Sequence, residues 1–308
     1  MSPYRVGFYL ILNAVFSITI ILLNKWIYAH GIFPNITLSM LHFVVTFLGL
    51  HVCQKIGVFE KKTVVLDDIV ILAFSFCGFV VLTNLSLQYN SVGTFQVAKM
   101  LTTPGVVLIQ SIYYRKHFSF LTVLTMVPVL VGVTVCFCYD IQLNIFGTIL
   151  ALSGVIVTSL YQVLVNSKQS ELQLDSMQLL YYQAPFSAIL LCFCIPVFEH
   201  PKTFNHVWTV QDMAMVFTSC FAALFVNLTT YWIIGNTSPL TYNMLGHFKF
   251  VLITMGGWYL FEEKTSVYQV VGILMTLCGI IAYGHVKMKE GDKARLARTE
   301  SLNKEDTC

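Results

Sequence analysis

The chain has 308 residues, of which 56% are hydrophobic and 11% are charged, and its formal net charge is +3. Soluble domains carry about 25% charged residues, so this composition excludes a soluble enzyme, a disordered protein and a nucleic-acid-binding protein. Eight of the nine cysteines fall in or beside apolar runs, and the two closely spaced pairs, Cys136 with Cys138 and Cys192 with Cys194, have no histidine or acidic partner in the same run. This pattern indicates small buried side chains rather than a metal or disulfide framework. The class of protein that remains is a polytopic membrane protein.

Ten charge-poor runs are long enough to cross a membrane, because a transmembrane helix needs about 20 mostly apolar residues. They are 6–28, 37–54, 69–87, 91–113, 119–138, 145–166, 177–198, 213–234, 240–261 and 266–286. Since the connections are short, the sequence predicts an all-α membrane protein with a single polytopic domain over 1–308. Residues 6–140 and 145–286 would form its two halves, and the polar residues 287–308 are expected to be a cytosolic tail.

Lysine and arginine residues in the connections predict the orientation. Thirteen of them fall at the end that carries both termini, and two, Lys202 and Lys264, fall at the opposite end. Because basic connections stay on the cytosolic side, both termini are expected in the cytosol. The alternation also supports ten spans, since a missed span would mix the two groups.

The other three basic residues, Lys25, Lys99 and Lys249, lie inside apolar spans, whereas no acidic residue lies at the middle of a span. Each buried lysine costs about 2.5–3.5 kcal/mol to insert, which suggests a function. Phosphate is a natural partner for an ammonium group. As alternatives, Lys25 is close enough to the end of its span to reach the membrane interface, and Lys99 and Lys249 could pair with helix-end carbonyls or water.

A weak internal repeat connects two of these lysines. Residues 79–120 align without gaps, at an offset of 146, with the segment that begins at Phe225, and each segment is a span, an Asn-containing turn and a span with a central lysine. Chance is the alternative to this short match. The offset covers five spans, and since five is odd, the second half would enter the membrane from the opposite side. The pattern predicts a five-plus-five inverted repeat in which Lys99 and Lys249 converge on one cavity.

Several short motifs occur in a specific order and spacing. They are Asn24-Lys25-Trp26-Ile27 followed by Gly31-Ile32-Phe33-Pro34, Leu82-Thr83-Asn84 with Lys99 downstream, and Gly246-His247-Phe248-Lys249. With these motifs the chain resembles the nucleotide-sugar/triose-phosphate translocator family, within the drug/metabolite transporter superfamily, over residues 6–286. The resemblance implies ten helices, cytosolic termini and transport by exchange.

The resemblance also implies a phosphate site. Lys99 matches a phosphate-binding lysine of the fourth helix, Lys249 matches one of the ninth, and Thr83 matches a threonine near the phosphate. Phe250 stands where phosphate translocators of the family have an arginine. The missing charge argues against triose or hexose phosphate, because these small dianions offer few contacts besides the phosphate.

Further candidates follow from nucleotide-sugar members of the family, which contact the base with the seventh helix and the sugar near the ninth. Tyr182 and Gln183 match the first region, and Tyr242, Asn243 and Gly246 match the second. Tyrosine offers a stacking face, an amide can bind a base edge, and glycine permits close backbone approach. A packing role remains the alternative for both tyrosines.

His247 would add a donor beside Lys249, although a hydrogen bond to a neighbouring helix is equally open for it. Tyr161-Gln162 on the sixth helix is a weaker candidate for base recognition. Lys25 completes the set of candidate substrate contacts.

These observations favour an antiporter that exchanges a nucleotide-sugar for a nucleoside monophosphate across the Golgi or endoplasmic reticulum membrane by alternating access. A carrier of a smaller phosphorylated metabolite and a non-transporting scaffold or regulator are the alternatives. No catalytic set, metal cluster or cofactor motif indicates an enzyme, and the lipid bilayer is the expected surrounding. The sequence leaves open whether two copies associate.

Overall fold

The computed structural model describes residues 3–64, 66–139, 144–199, 208–261 and 266–305. Within these ranges the chain forms helices and no strand. The helices are α1 (Pro3–Ala29), α2 (Asn35–Lys55), α3 (Leu66–Tyr89), α4 (Val92–Met100), α5 (Thr102–Ile112), α6 (Phe120–Leu124), α7 (Met126–Cys138), α8 (Ile145–Leu172), α9 (Ser176–Phe198), α10 (Val210–Asn236), α11 (Pro239–Phe261) and α12 (Val267–Glu305). The predicted all-α membrane class is confirmed.

Nine segments of the described chain are long and apolar enough to cross a membrane, and each corresponds to one predicted span. The tenth predicted span, 240–261, corresponds to α11. This helix has 23 residues, which extend over about 34 Å at 1.5 Å per residue. Since α11 carries Asn243 and Lys249 in its interior, it is more polar than a simple lipid-facing span, and its crossing stays a prediction.

The fourth span is broken beside its lysine. Helix α4 ends at Met100, and α5 begins at Thr102. Pro104 has no N–H to donate to the Met100 carbonyl, and its ring crowds that carbonyl, so the helix cannot continue regularly. The hydroxyl of Thr102 donates to the Lys99 carbonyl at 2.7 Å, which gives this carbonyl a partner at the break. Lys99 therefore lies in the last turn of a short helix.

Four pairs of helices have the most extensive contacts: α1 with α10, α2 with α9, α3 with α8, and α7 with α12. Helix α4 also packs against α11. Exchanging each predicted span with the span five places along the chain turns the α1–α10 pair into the α3–α8 pair. The same exchange turns each of the other pairs into itself. Two halves related by a twofold axis require such a pairing. The packing therefore supports the inverted repeat, which stays a prediction.

Helices α7 and α12 approach each other through glycine. A Cβ added to Gly132 would lie 2.5 Å from the carbonyl oxygen of Gly272. Helices in membranes associate through such close backbone contacts because lipid provides little hydrophobic driving force between them. Beyond the membrane-crossing part, Val267–Val286, α12 continues as a helix through most of the predicted tail, to Glu305.

Hydrogen bonds from two connections to the ends of α8 mark the two ends of the bundle. At the tail end, which carries the start of α1, Lys62 of the α2–α3 connection donates to the last carbonyl of α8 at 3.0 Å. At the far end, the amide of Asn90 donates to the Gly147 carbonyl at the start of α8 at 2.8 Å. Lys202 and Lys264, on which the predicted orientation depends, lie outside the described residues, so the sidedness stays a prediction.

Candidate substrate-binding site

A cavity of about 170 Å³ lies in the centre of the bundle. Its wall is built by α1, α2, α3, α4, α5, α8, α10 and α11. Both Lys99 and Lys249 lie on this wall. The structure thus brings together two lysines that are 150 residues apart in the sequence, as the predicted repeat requires.

Neutral groups hold the ammonium group of Lys249. Its Nζ donates to Asn13 Oδ1 at 2.7 Å and to Ser17 Oγ at 3.1 Å. The Asn13 amide in turn donates to Thr229 Oγ1 at 2.8 Å, which directs its carbonyl oxygen toward the lysine. The same Nζ lies 5.0 Å from the centroid of the Tyr242 ring, within cation–π range. These contacts solvate the charge without neutralising it.

Lys99 has a less polar environment. Its Nζ lies 5.5 Å from the centroid of the Phe95 ring. Among the residues that the structure describes, neither Lys99 nor Lys249 forms an ion pair with an acidic side chain. Two ammonium groups on the wall of one cavity would repel each other. An anion between them would therefore be attracted by both.

The structure does not bring Lys25 to the cavity. Its Nζ donates to the carbonyls of Leu87 at 2.9 Å and Asn90 at 2.7 Å, at the end of α3. The last carbonyls of a helix lack partners within the helix and carry the negative end of its dipole, so a cation stabilises them. Helix-end pairing, which the sequence left open for the other two lysines, thus occurs at Lys25.

The candidates on α9 also lie away from the cavity wall. The hydroxyl of Tyr182 donates to the Lys62 carbonyl at 2.6 Å, at the tail end of the bundle. Gln183 is completely buried, and its side-chain carbonyl accepts a hydrogen bond from the hydroxyl of Tyr231. These contacts give both residues structural partners that the sequence pattern did not show.

The candidates on α3 and α11 are brought together. Thr83, Tyr242, Asn243 and Gly246 all line the cavity. The Thr83 hydroxyl donates to a carbonyl one turn earlier in its own helix at 2.7 Å. A Cβ added to Gly246 would meet nothing within 4 Å, so this glycine leaves room on the wall. His247 belongs to the same helix, but its side chain lies outside the described part of the structure.

Sequence reasoning missed several polar residues of the wall, among them Gln96 and His42. Gln96 is 2% exposed and lies three residues before Lys99, so helical spacing places both on one face. This spacing was the available signal. His42 has Nε2 within 2.9 Å of Ser219 Oγ, and no pattern in the sequence distinguishes it from a histidine that only packs.

The model of the Triose-phosphate Transporter family matches residues 4–284. The chain belongs to this family. It is 34% identical over 281 residues to UDP-xylose transporter 2 of Arabidopsis thaliana. This match covers 89% of this chain and 79% of the relative. It is 28% identical to GDP-mannose transporter GONST5 of the same plant, over 88% of this chain and 83% of the relative.

A further relative, UDP-galactose transporter 1 of Arabidopsis thaliana, is 28% identical and covers 88% of this chain and 84% of its own. A solved crystal structure matches with a TM-score of 0.61 and 16% identity, over 90% of this chain and 98% of that chain, which shows the fold alone. The resemblance inferred from the motifs is thus confirmed at the level of the family. As a member of the Triose-phosphate Transporter family, the protein is a membrane transporter rather than an enzyme.

Proposed function

We propose that this transporter exchanges a nucleotide-sugar for a nucleoside monophosphate across the Golgi or endoplasmic reticulum membrane. The observation that carries the proposal is the pair of lysines, Lys99 and Lys249, which line one cavity without an acidic partner among the described residues. The printed functions of the relatives, which are UDP-xylose, GDP-mannose and UDP-galactose transporters, favour a nucleotide-sugar as the anion.

The number of positive charges fits this pair of substrates. The diphosphate of a nucleotide-sugar carries two negative charges, and the phosphate of a nucleoside monophosphate carries about −1.5 to −2 at neutral pH. Two lysines balance either one. The resemblance assigns an arginine to position 250, but this chain has Phe250 there and so has no third cation at that position. Phe250 is completely buried in an apolar cluster with Val97 and Ile273.

The same balance explains why the carrier would exchange rather than release. Closing an empty cavity would hold two like charges in a low dielectric, where their repulsion is strong. A bound dianion removes this repulsion, so the loaded carrier would pass through the closed state more easily than the empty one. Alternating access of the two halves around a central site, with the tail end on the cytosolic side, would then couple entry of one anion to exit of another.

Transport by purified protein in liposomes tests the proposal. Liposomes loaded with UMP or GMP would be mixed with labelled UDP-xylose, GDP-mannose or triose phosphate, and empty liposomes would serve as the control. We expect uptake of a nucleotide-sugar only into loaded liposomes. Uptake of triose phosphate alone would support the smaller-metabolite alternative, and uptake of none by folded protein would favour the non-transporting alternative.

A further inference from the structure

Asn13 of α1 supports Lys249 from outside the cavity. Its side chain is completely buried and is not part of the cavity wall. Its Oδ1 accepts from Lys249 Nζ at 2.7 Å, which is shorter than the 3.1 Å between the same Nζ and Ser17 Oγ. A ligand in the cavity would not contact Asn13, so an effect of this residue on ligand binding would have to act through Lys249.

Helix α10 fixes the orientation of the Asn13 amide. Its Nδ2 donates to Thr229 Oγ1 at 2.8 Å and to Thr230 Oγ1 at 3.0 Å, so both of its N–H bonds have acceptors. The Thr229 hydroxyl donates its own proton to the Phe225 carbonyl at 2.6 Å, so it accepts from Asn13. A flipped amide would bring its oxygen against this acceptor. The carbonyl oxygen of Asn13 is thus held toward Lys249.

The partners of Lys249 hold its charge without cancelling it. The Ser17 hydroxyl donates to Asn13 Oδ1 at 3.3 Å, so the Ser17 oxygen can accept from the ammonium group. Two neutral acceptors thus take two of the three N–H bonds of Lys249, and the third has no acceptor among the residues that the structure describes. An amide and a hydroxyl leave the positive charge available to an anion, whereas a carboxylate at the same distance would neutralise it.

We propose that Asn13 is a positioning residue for Lys249: it fixes the ammonium group at the cavity and, because it is neutral, leaves the charge to the transported anion. This inference rests on the proposed function and adds a residue that neither contacts the anion nor carries a charge. It also assigns a task to the contact between α1 and α10, since two threonines of α10 orient the amide. The fold should therefore tolerate a carboxylate at position 13, and anion binding should not.

Asn13→Asp separates the charge of position 13 from its shape. Aspartate has the size of asparagine, and the hydroxyls of Thr229 and Thr230 can turn to donate to its second oxygen. We expect the unfolding temperature to stay within a few degrees of the wild type, because desolvation of the carboxylate and its attraction to Lys249 largely offset each other. The dissociation constant for the bound anion should rise about 10-fold or more, since one lysine is neutralised.

Asn35→Asp is the matched control for a buried carboxylate. Asn35 is 5% exposed, does not line the cavity and donates its amide to Gln88 Oε1 at 3.2 Å. Dissociation constants of full-length protein in detergent would be obtained from ligand-induced thermal stabilisation with UDP-xylose, GDP-mannose, UMP and GMP. We expect Asn35→Asp to bind these anions like the wild type.

A double-mutant cycle measures whether Asn13 acts through Lys249. Asn13→Leu removes the acceptor and is compared in the wild type and in Lys249→Met. We expect the dissociation constant to rise about 3- to 10-fold in the wild-type background, because the ammonium group loses its closest acceptor. In Lys249→Met the same change should be less than about 2-fold. If the leucine variant does not fold, Asn13→Ser replaces it, since its side chain is one atom shorter.

The outcomes separate this inference from the proposed function. A wild type that binds none of the four anions refutes the proposed function and the inference with it. If the wild type binds any of them, three results overturn the inference alone: Asn13→Asp binds like the wild type, Asn35→Asp loses as much affinity as Asn13→Asp, or Asn13→Leu has the same effect in both backgrounds. If Asn13→Asp does not fold, the double-mutant cycle decides.

Discussion

Replacing Lys249 by methionine should separate the function of this lysine from its contribution to the fold. The substitution keeps a long unbranched side chain and removes the charge. Two neutral groups, Asn13 Oδ1 and Ser17 Oγ, lose the Nζ that lies 2.7 and 3.1 Å from them. The Ser17 hydroxyl still donates to Asn13 Oδ1 at 3.3 Å, so the amide oxygen keeps a partner.

The effect on stability should be small. Removing the buried charge recovers about 2.5–3.5 kcal/mol of insertion cost. The two lost hydrogen bonds to the ammonium group are together worth about 3–6 kcal/mol at most. Since the terms oppose each other, we expect the free energy of unfolding to fall by about 1.5 kcal/mol, and by no more than about 3.5 kcal/mol. The effect on transport should be larger, because a phosphate loses a charge-assisted bond, which lowers kcat/KM by about 10- to 100-fold.

Thermal unfolding in detergent and initial uptake of UDP-xylose or GDP-mannose into UMP- or GMP-loaded liposomes measure the two effects on one preparation. Lys25→Met is the matched control, since it removes a half-buried lysine that does not line the cavity. A Lys249→Met protein that unfolds like the wild type and keeps more than half of its exchange rate would refute the assignment of this lysine to the substrate.

Lys25→Met should itself lower the unfolding temperature, because two carbonyls at the end of α3 lose a cation at 2.7 and 2.9 Å. The KM for the exchanged anion should stay unchanged. A raised KM with unchanged stability would contradict this structural role of Lys25. Glu199→Gln should destabilise the protein by about 1 kcal/mol in thermal unfolding. The reason is that the Glu199 carboxylate caps the start of α2 by accepting from the backbone N–H of Thr37 at 3.1 Å. An unchanged unfolding temperature would argue against the cap. Gly132→Ala should cost about 1–3 kcal/mol, because its Cβ would lie 2.5 Å from a backbone oxygen of α12. Gly246→Ala, which has open space, should leave the unfolding temperature unchanged and slow uptake of the bulky nucleotide-sugar more than uptake of the monophosphate.

The membrane class and nearly all of the spans could be predicted from the sequence, because insertion into lipid depends on the summed hydropathy of about 20 consecutive residues. The importance of Lys99 and Lys249 was visible for the same reason, since a charge within an apolar span is costly whatever it packs against. The motifs added the family, which the comparison confirmed.

The tertiary structure decided which polar side chains share the cavity. A helix that is apolar on every side gives no periodic signal for the face that turns inward, so rotation about its axis is set by packing against neighbours. For this reason the sequence did not show that Lys25 donates to carbonyls at the end of α3 or that Gln183 accepts from Tyr231. It also did not show that Gln96 lines the cavity. The sequence by itself determined that the ammonium groups of Lys99 and Lys249 need polar or anionic partners within the membrane. Only the packing of the helices decided which residues surround these two groups.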